Sequence, residues 1–163
     1  MQPWENAYNE LIARANGYLS HSSQAVEDFY APGYYSDPEG SLAAKRLIQG
    51  DGVAAYTLAL SYQLDDGIDR TLYAGKAVEL LNSWATINKT VSGVDGPEYM
   101  CTGGIGLIHA ADLVWNYDGW NLADRDNFAD WVNSVFQGAA NAIIGESFNW
   151  GAGVPWPRFP QLT

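Results

Sequence analysis

Between Asp69 and Ile87 the apolar residues Ala74, Ala77, Val78, Leu81 and Trp84 recur every three or four positions, the period of an amphipathic α-helix. The same period governs most of the chain. Trp4, Ala7, Tyr8, Leu11, Ile12, Ala15 and Leu19 form one stripe over residues 4–20. A second begins near Ser41 with Ala44, Leu47 and Ile48 and resumes after Gly50-Asp51-Gly52 with Ala55, Leu58, Ala59 and Tyr62. The two glycines either kink one helix or separate two. A further helix is expected from about Thr102 to Tyr117. Gly103, Gly104 and Gly106 weaken its first turn but allow a neighbouring helix to come close. The last runs from Leu122 to Ile144, with Phe128, Trp131, Val132, Val135, Ala139 and Ile143 on its buried side. No segment alternates with the two-residue period of a strand. The expected fold is all-α, antiparallel helix hairpins within a single domain spanning residues 1–163.

Two stretches break the helical pattern by composition. In Glu27–Gly40, Pro32, Gly33, Pro38 and Gly40 prevent a continuous helix, and the loop carries Tyr30, Tyr34 and Tyr35. Beyond Gly145 the chain reads Glu146-Ser-Phe-Asn-Trp-Gly-Ala-Gly-Val-Pro-Trp-Pro-Arg-Phe-Pro160. Asp69 suits the N-cap of the 69–87 helix, while Asp65, Asp66, Asp124 and Asp126 suit helix ends and turns. Seven Trp, ten Tyr and five Phe exceed the needs of a small helical core. Most are expected to pack between helices, and those in loops offer flat faces suited to sugar rings.

Eight basic against nineteen acidic residues give a net charge of −11, which lacks the positive field that nucleic-acid binding needs. The one cysteine, Cys101, excludes an internal disulfide and a multi-cysteine zinc site. No His-x-x-x-His helix and no glycine-rich phosphate loop after a strand is present, so no metal and no cofactor is expected. No apolar run approaches the roughly 18 residues of a membrane span, and the first residues lack the basic and apolar regions of a signal peptide. Asn88-Lys89-Thr90 matches a glycosylation acceptor, a short pattern that is common by chance. Of the two histidines, His21 is expected at an exposed helix end and His109 partly buried within a helix.

Three segments together resemble the alginate lyase domain family of polysaccharide lyases. Val53-Ala-Ala-Tyr-Thr-Leu-Ala-Leu-Ser-Tyr62 followed by Tyr73-Ala-Gly-Lys-Ala-Val-Glu-Leu-Leu-Asn-Ser-Trp84 is similar to the family's alanine-rich helix and the helix after it. Gly103–Trp120 is similar to a glycine-rich helix that ends in a Tyr-x-x-Trp turn. Phe148-Asn149-Trp150-Gly151 stands where the family carries its catalytic asparagine. The resemblance covers residues from about 4 to 155 and implies a partial (α/α) toroid. Family members continue well past the asparagine, so it also implies that this chain corresponds to the first half. Self-association or a partner chain would then complete the ring. Many members have histidine after the asparagine where this chain has Trp150.

The resemblance implies cleavage of an acidic polysaccharide such as alginate by β-elimination, in a periplasmic or extracellular setting. The C5 proton of a uronate is poorly acidic while the adjacent carboxylate is charged, so a hydrogen-bond donor must take up that charge in the transition state. By resemblance Asn149 is that donor, and Tyr34 and Tyr35 are candidates for the base and acid, on a loop that covers the sugar cleft in related toroids. Trp150, Trp156, Tyr30 and Arg158 are the candidate substrate-binding residues, Arg158 as a partner for a carboxylate. Lys45, Arg46, Arg70, Lys76 and Lys89 form either a positive strip for a polyuronate or solvated helix faces. The net negative charge repels a polyanion, an effect screened beyond about 8–10 Å at ordinary salt. The competing expectation is a non-catalytic glycan-binding or structural module of a larger assembly.

Overall fold

A computed structural model describes residues 3–67 and 70–145. They are mostly helical, in the order α1 (Pro3–Tyr18), β1 (Asp28–Tyr30), α2 (Pro38–Leu64), α3 (Arg70–Ile87), β2 (Thr90–Ser92), α4 (Gly96–Val114), α5 (Leu122–Trp131), a π-helical turn (Val132–Phe136) and α6 (Gln137–Gly145). The all-α expectation holds apart from the two strands. Asn149, Trp150, Trp156, Arg158 and the expected cap Asp69 lie outside the described residues.

α2 is the axis of the fold, and its 27 residues form one helix through Gly50 and Gly52. It starts cleanly: Asp37 accepts a hydrogen bond from Gly40 N at 2.9 Å, and Pro38 occupies the first turn, where its missing N–H leaves no bond unmade. It ends at Asp65, whose carboxylate accepts from Gly67 N and from the Tyr8 hydroxyl, both at 3.0 Å. The bond to that carboxylate holds the Tyr8 phenol above its ordinary pKa and ties the start of α1 to the end of α2. The rest of α1 contributes less than its stripe suggests, since Ala15 is buried but Trp4 is largely exposed.

Cross-helix contacts fix the helix directions. Tyr62 stacks under Arg70, and Trp84 reaches Asp51, so α3 runs antiparallel to α2. Ser41 meets Asp95 and Tyr99, Gly52 meets Gly103 and Gly106, and Gln63 donates to the carbonyl of Leu113, so α4 runs parallel to α2. Asn82 pairs with Asp124 and Asn88 with Trp131, which sets α5 parallel to α3. The α2–α4 crossing depends on absent side chains. A Cβ on Gly52 would sit 2.3 Å from the Gly103 carbonyl oxygen, and one on Gly106 would sit 2.4 Å from that of Gly52. The glycines near 103 thus serve the close approach expected of them, while helix α4 begins earlier than expected, at Gly96-Pro97.

The strands correct the expectation of no β-structure. Phe29 pairs with Val91 at the centre of a parallel two-stranded ladder, joined through the α2–α3 hairpin. Three residues per strand are too few for a two-residue period to stand out. Asp28 strengthens the ladder by accepting from Thr90 Oγ1 at 2.8 Å and Ser92 Oγ at 2.7 Å. Gly93 follows at φ 82°, where a side chain would meet the Ala31 carbonyl oxygen at 2.1 Å. The expected single helix over 122–144 is interrupted by the π-turn.

Part of the aromatic surplus packs inside the fold, while Trp4, Tyr30, Tyr34, Tyr35, Tyr56 and Trp115 are exposed. Phe29, Trp84, Trp131, Phe128, Trp120 and Trp115 form a continuous ring-to-ring chain with centroids 5.5–6.5 Å apart, linking β1, α3, α5 and the α4–α5 connection. Its three buried indole N–H groups are matched: Trp84 to Asp51, Trp120 to Asn82, Trp131 to Asn88. Among the described residues no helix is long and apolar enough to cross a membrane.

Candidate functional site

The most exposed aromatic feature is the loop between β1 and α2. Strand alternation turns Phe29 into the core and leaves Tyr30 exposed. Ala31 is buried, and its carbonyl accepts from Asp95 N at 3.2 Å. The chain then turns at Gly33, whose carbonyl accepts from Ser36 Oγ at 2.8 Å and from the amides of Ser36 and Asp37. This tight turn projects Tyr34 and Tyr35, the latter fully exposed, with rings 5.8 Å apart and nearly perpendicular. The structure therefore brings Tyr34 and Tyr35 together, while no ring contact joins Tyr30 to them.

The loop is held from below by Asp95, which no sequence motif singles out. Its Oδ2 accepts from Tyr34 N at 2.7 Å, Ser41 Oγ at 2.9 Å and, at 3.4 Å, the Tyr99 hydroxyl. Ser41 and Tyr99 share a further bond of 2.8 Å, and both are buried. Lys45, one turn along α2 from Ser41, lies 5.4 Å from the centre of the Tyr99 ring. An anchored backbone under two exposed rings needs little ordering when a ligand stacks on them. The arrangement offers aromatic faces, phenol hydroxyls and a nearby ammonium group.

The other cationic candidates disperse. Arg70 covers Tyr62 at 4.7 Å, and Lys76 pairs with Glu79 at 2.7 Å. Lys45 and the Tyr62–Arg70 contact are separated along α2 by roughly 25 Å at helical rise, so the five do not form one strip. Cys101 is half-buried, and burial raises its thiol pKa, which disfavours the nucleophilic thiolate.

Both histidines differ from expectation. His21 is mostly buried, with Nε2 2.7 Å from Oδ1 of Asp51, because the chain after α1 folds back onto α2. His109 is exposed on α4, its ring 5.9 Å from that of Tyr56. Asp51 itself is completely buried, and its other oxygen accepts from Gln24 N at 2.7 Å, Trp84 Nε1 at 2.8 Å and Ser23 Oγ at 3.2 Å. With every donor spoken for, this cluster is a fastening for the residue 21–24 segment. The signal in the sequence was an acid flanked by Gly50 and Gly52 inside an apolar helix.

Asn88 is a second such fastening. It is fully buried, its Nδ2 donates to the carbonyls of Val26, Glu27 and Thr90, and its Oδ1 accepts from Trp131 Nε1. An amide so enclosed is inaccessible in the folded chain, so the acceptor pattern at Asn88 has a structural origin. Compared with protein-family models, curated proteins and solved structures, the chain matches none of them.

Proposed function

We propose that this chain is an alginate-lyase-like helical domain that engages a uronate polysaccharide at the Tyr34–Tyr35 loop and cleaves it by β-elimination. The observation that carries the reading is the loop itself: two exposed tyrosines on a backbone pinned by Asp95, with Lys45 near its root. The helix directions support a partial (α/α) toroid, since α2 and α4 run side by side the same way while α3 and α5 run the other. In the proposed reaction a base takes the C5 proton, its electron pair forms the C4–C5 double bond, and the C4–O bond breaks as the leaving oxygen is protonated. Asn149 stabilises the carboxylate charge, and the phenols of Tyr34 and Tyr35 serve the proton transfers. Trp150, Trp156, Tyr30 and Arg158 complete the sugar contacts in this reading.

A second reading, a glycan-binding module without catalysis, rests on the same two exposed rings, which offer stacking faces whether or not a proton is transferred. Binding tests what both readings share. Retardation of the full chain in alginate-containing gels is expected, and the Tyr34→Ala/Tyr35→Ala double variant is expected to lose about tenfold in affinity from the lost ring contacts. Its melting temperature should stay unchanged, because both side chains are exposed. Retention that is identical in the parent and the double variant would remove the loop from the account.

A further inference from the structure

A cleft of about 250 Å³ lies away from the tyrosine loop, between the end of α3 and the face of α5 that continues into the π-turn. Asn127, Asp130, Trp131, Ser134 and Val135 follow one another at i, i+3, i+4, i+7 and i+8, which lines them along one side of the helical rod. Lys89 stands on the opposite wall, exposed, just after α3. The floor is already satisfied. Trp131 spends its N–H on Asn88, and Asn88 spends its amide on three carbonyls; Trp131 is itself 3% exposed, so the floor presents carbon surface mainly from Val135 with only an edge of the indole. The rim is different: the Lys89 ammonium, the Asp130 carboxylate and the Asn127 amide, with Lys89 and Asp130 not paired to each other, and a Ser134 hydroxyl that donates to the Asp130 carbonyl at 2.6 Å and keeps its oxygen as an acceptor.

We infer that this cleft is a separate binding site for a single hexuronate ring. Its volume is below the range of about 300–1,000 Å³ typical of drug-sized ligand pockets, which suits one ring rather than a chain. A pyranose has an apolar C–H face for the floor and hydroxyls that both donate and accept, matching the amide of Asn127 and the acceptor oxygens of Asp130 and Ser134. The ammonium of Lys89 selects an acidic sugar, whose carboxylate gains a charge-assisted bond. Interruption of the rod by a π-turn at this wall fits a ligand site, where such turns often occur. The choice of sugar class rests on the glycan reading above; the cleft itself shares no residue with the tyrosine loop.

Titration of the full chain with sodium glucuronate and with glucose, followed by amide and indole NMR signals, tests the inference. Glucuronate should bind in the millimolar range and shift the signals of Trp131 and residues 127–135. Lys89→Ala should weaken glucuronate by about tenfold, to the level of glucose, and leave alginate retention by the tyrosine loop unchanged. Asn127→Ala should weaken both sugars. Equal glucuronate affinity in the parent and Lys89→Ala, or shifts confined to other residues, would overturn the site. Monomer binding in the cleft without any alginate retention would instead overturn the loop reading and spare the cleft.

Discussion

Asp51→Ala is expected to destabilise the protein by about 3–5 kcal/mol, because it removes a buried acceptor shared by four donors. The carboxylate is fully buried and receives donors from two parts of the chain: His21, Ser23 and Gln24 after α1, and Trp84 on α3. Alanine removes both oxygens, leaves the buried indole N–H of Trp84 unsatisfied at a cost of about 1–3 kcal/mol, and also breaks the bonds from Gln24 N, Ser23 and His21, each worth about 0.5–1.5 kcal/mol. A domain of this size holds only about 5–15 kcal/mol in total, so the melting temperature should fall by roughly 10 °C or more. Asp51→Asn should cost much less. Its single oxygen can face Ser23, Gln24 and Trp84, while its NH2 donates to Nε2 of the alternative His21 tautomer. Thermal unfolding of the two variants side by side checks this, and equal losses would deny Asp51 its role as a shared acceptor.

The α2–α4 crossing yields a pair of opposite effects two residues apart. At Gly52 an added methyl would lie 2.3 Å from the Gly103 carbonyl oxygen, a backbone atom that cannot rotate away. The helices must separate, and Gly52→Ala should cost about 2–3 kcal/mol, at the upper end of overpacking losses. Gly106→Ala, facing the Gly52 carbonyl at 2.4 Å, should behave alike. At Gly50 a methyl meets nothing within 4 Å, so Gly50→Ala should stabilise by about 0.5–1 kcal/mol through lower helix entropy cost. Denaturant melts of the three variants decide the matter. A loss at Gly50 comparable to that at Gly52 would mean that helix geometry, not the crossing, sets the effect.

Helix existence was legible because apolar spacing persists over several turns, as in Ala74, Ala77, Val78, Leu81 and Trp84. The glycine crossing was half legible: Gly103–Gly106 pointed to a close neighbour, but nothing local named Gly52 as its partner. The parallel strand pair was hidden, since its register depends on two three-residue segments 62 positions apart. The fastenings were hidden for a related reason. Asp51, Asn88 and Asp95 each bond to residues distant in sequence, and a lone polar residue does not reveal which carbonyls or indoles will surround it. At the tyrosine loop, composition exposed the rings but not the Asp95 anchor, which comes from beyond β2.

The proposed activity, conversion of a uronate polymer into an unsaturated sugar product, is open to direct measurement. Incubating the full chain with alginate, and in parallel with glucuronate-rich polymers, and following the ultraviolet absorbance of the new C4–C5 double bond measures that directly. A steady rise that Asn149→Ala abolishes, with binding to the polymer retained, is the result expected. A flat trace for every polymer from a folded chain that still binds them would contradict catalysis and leave a sugar-binding module in its place.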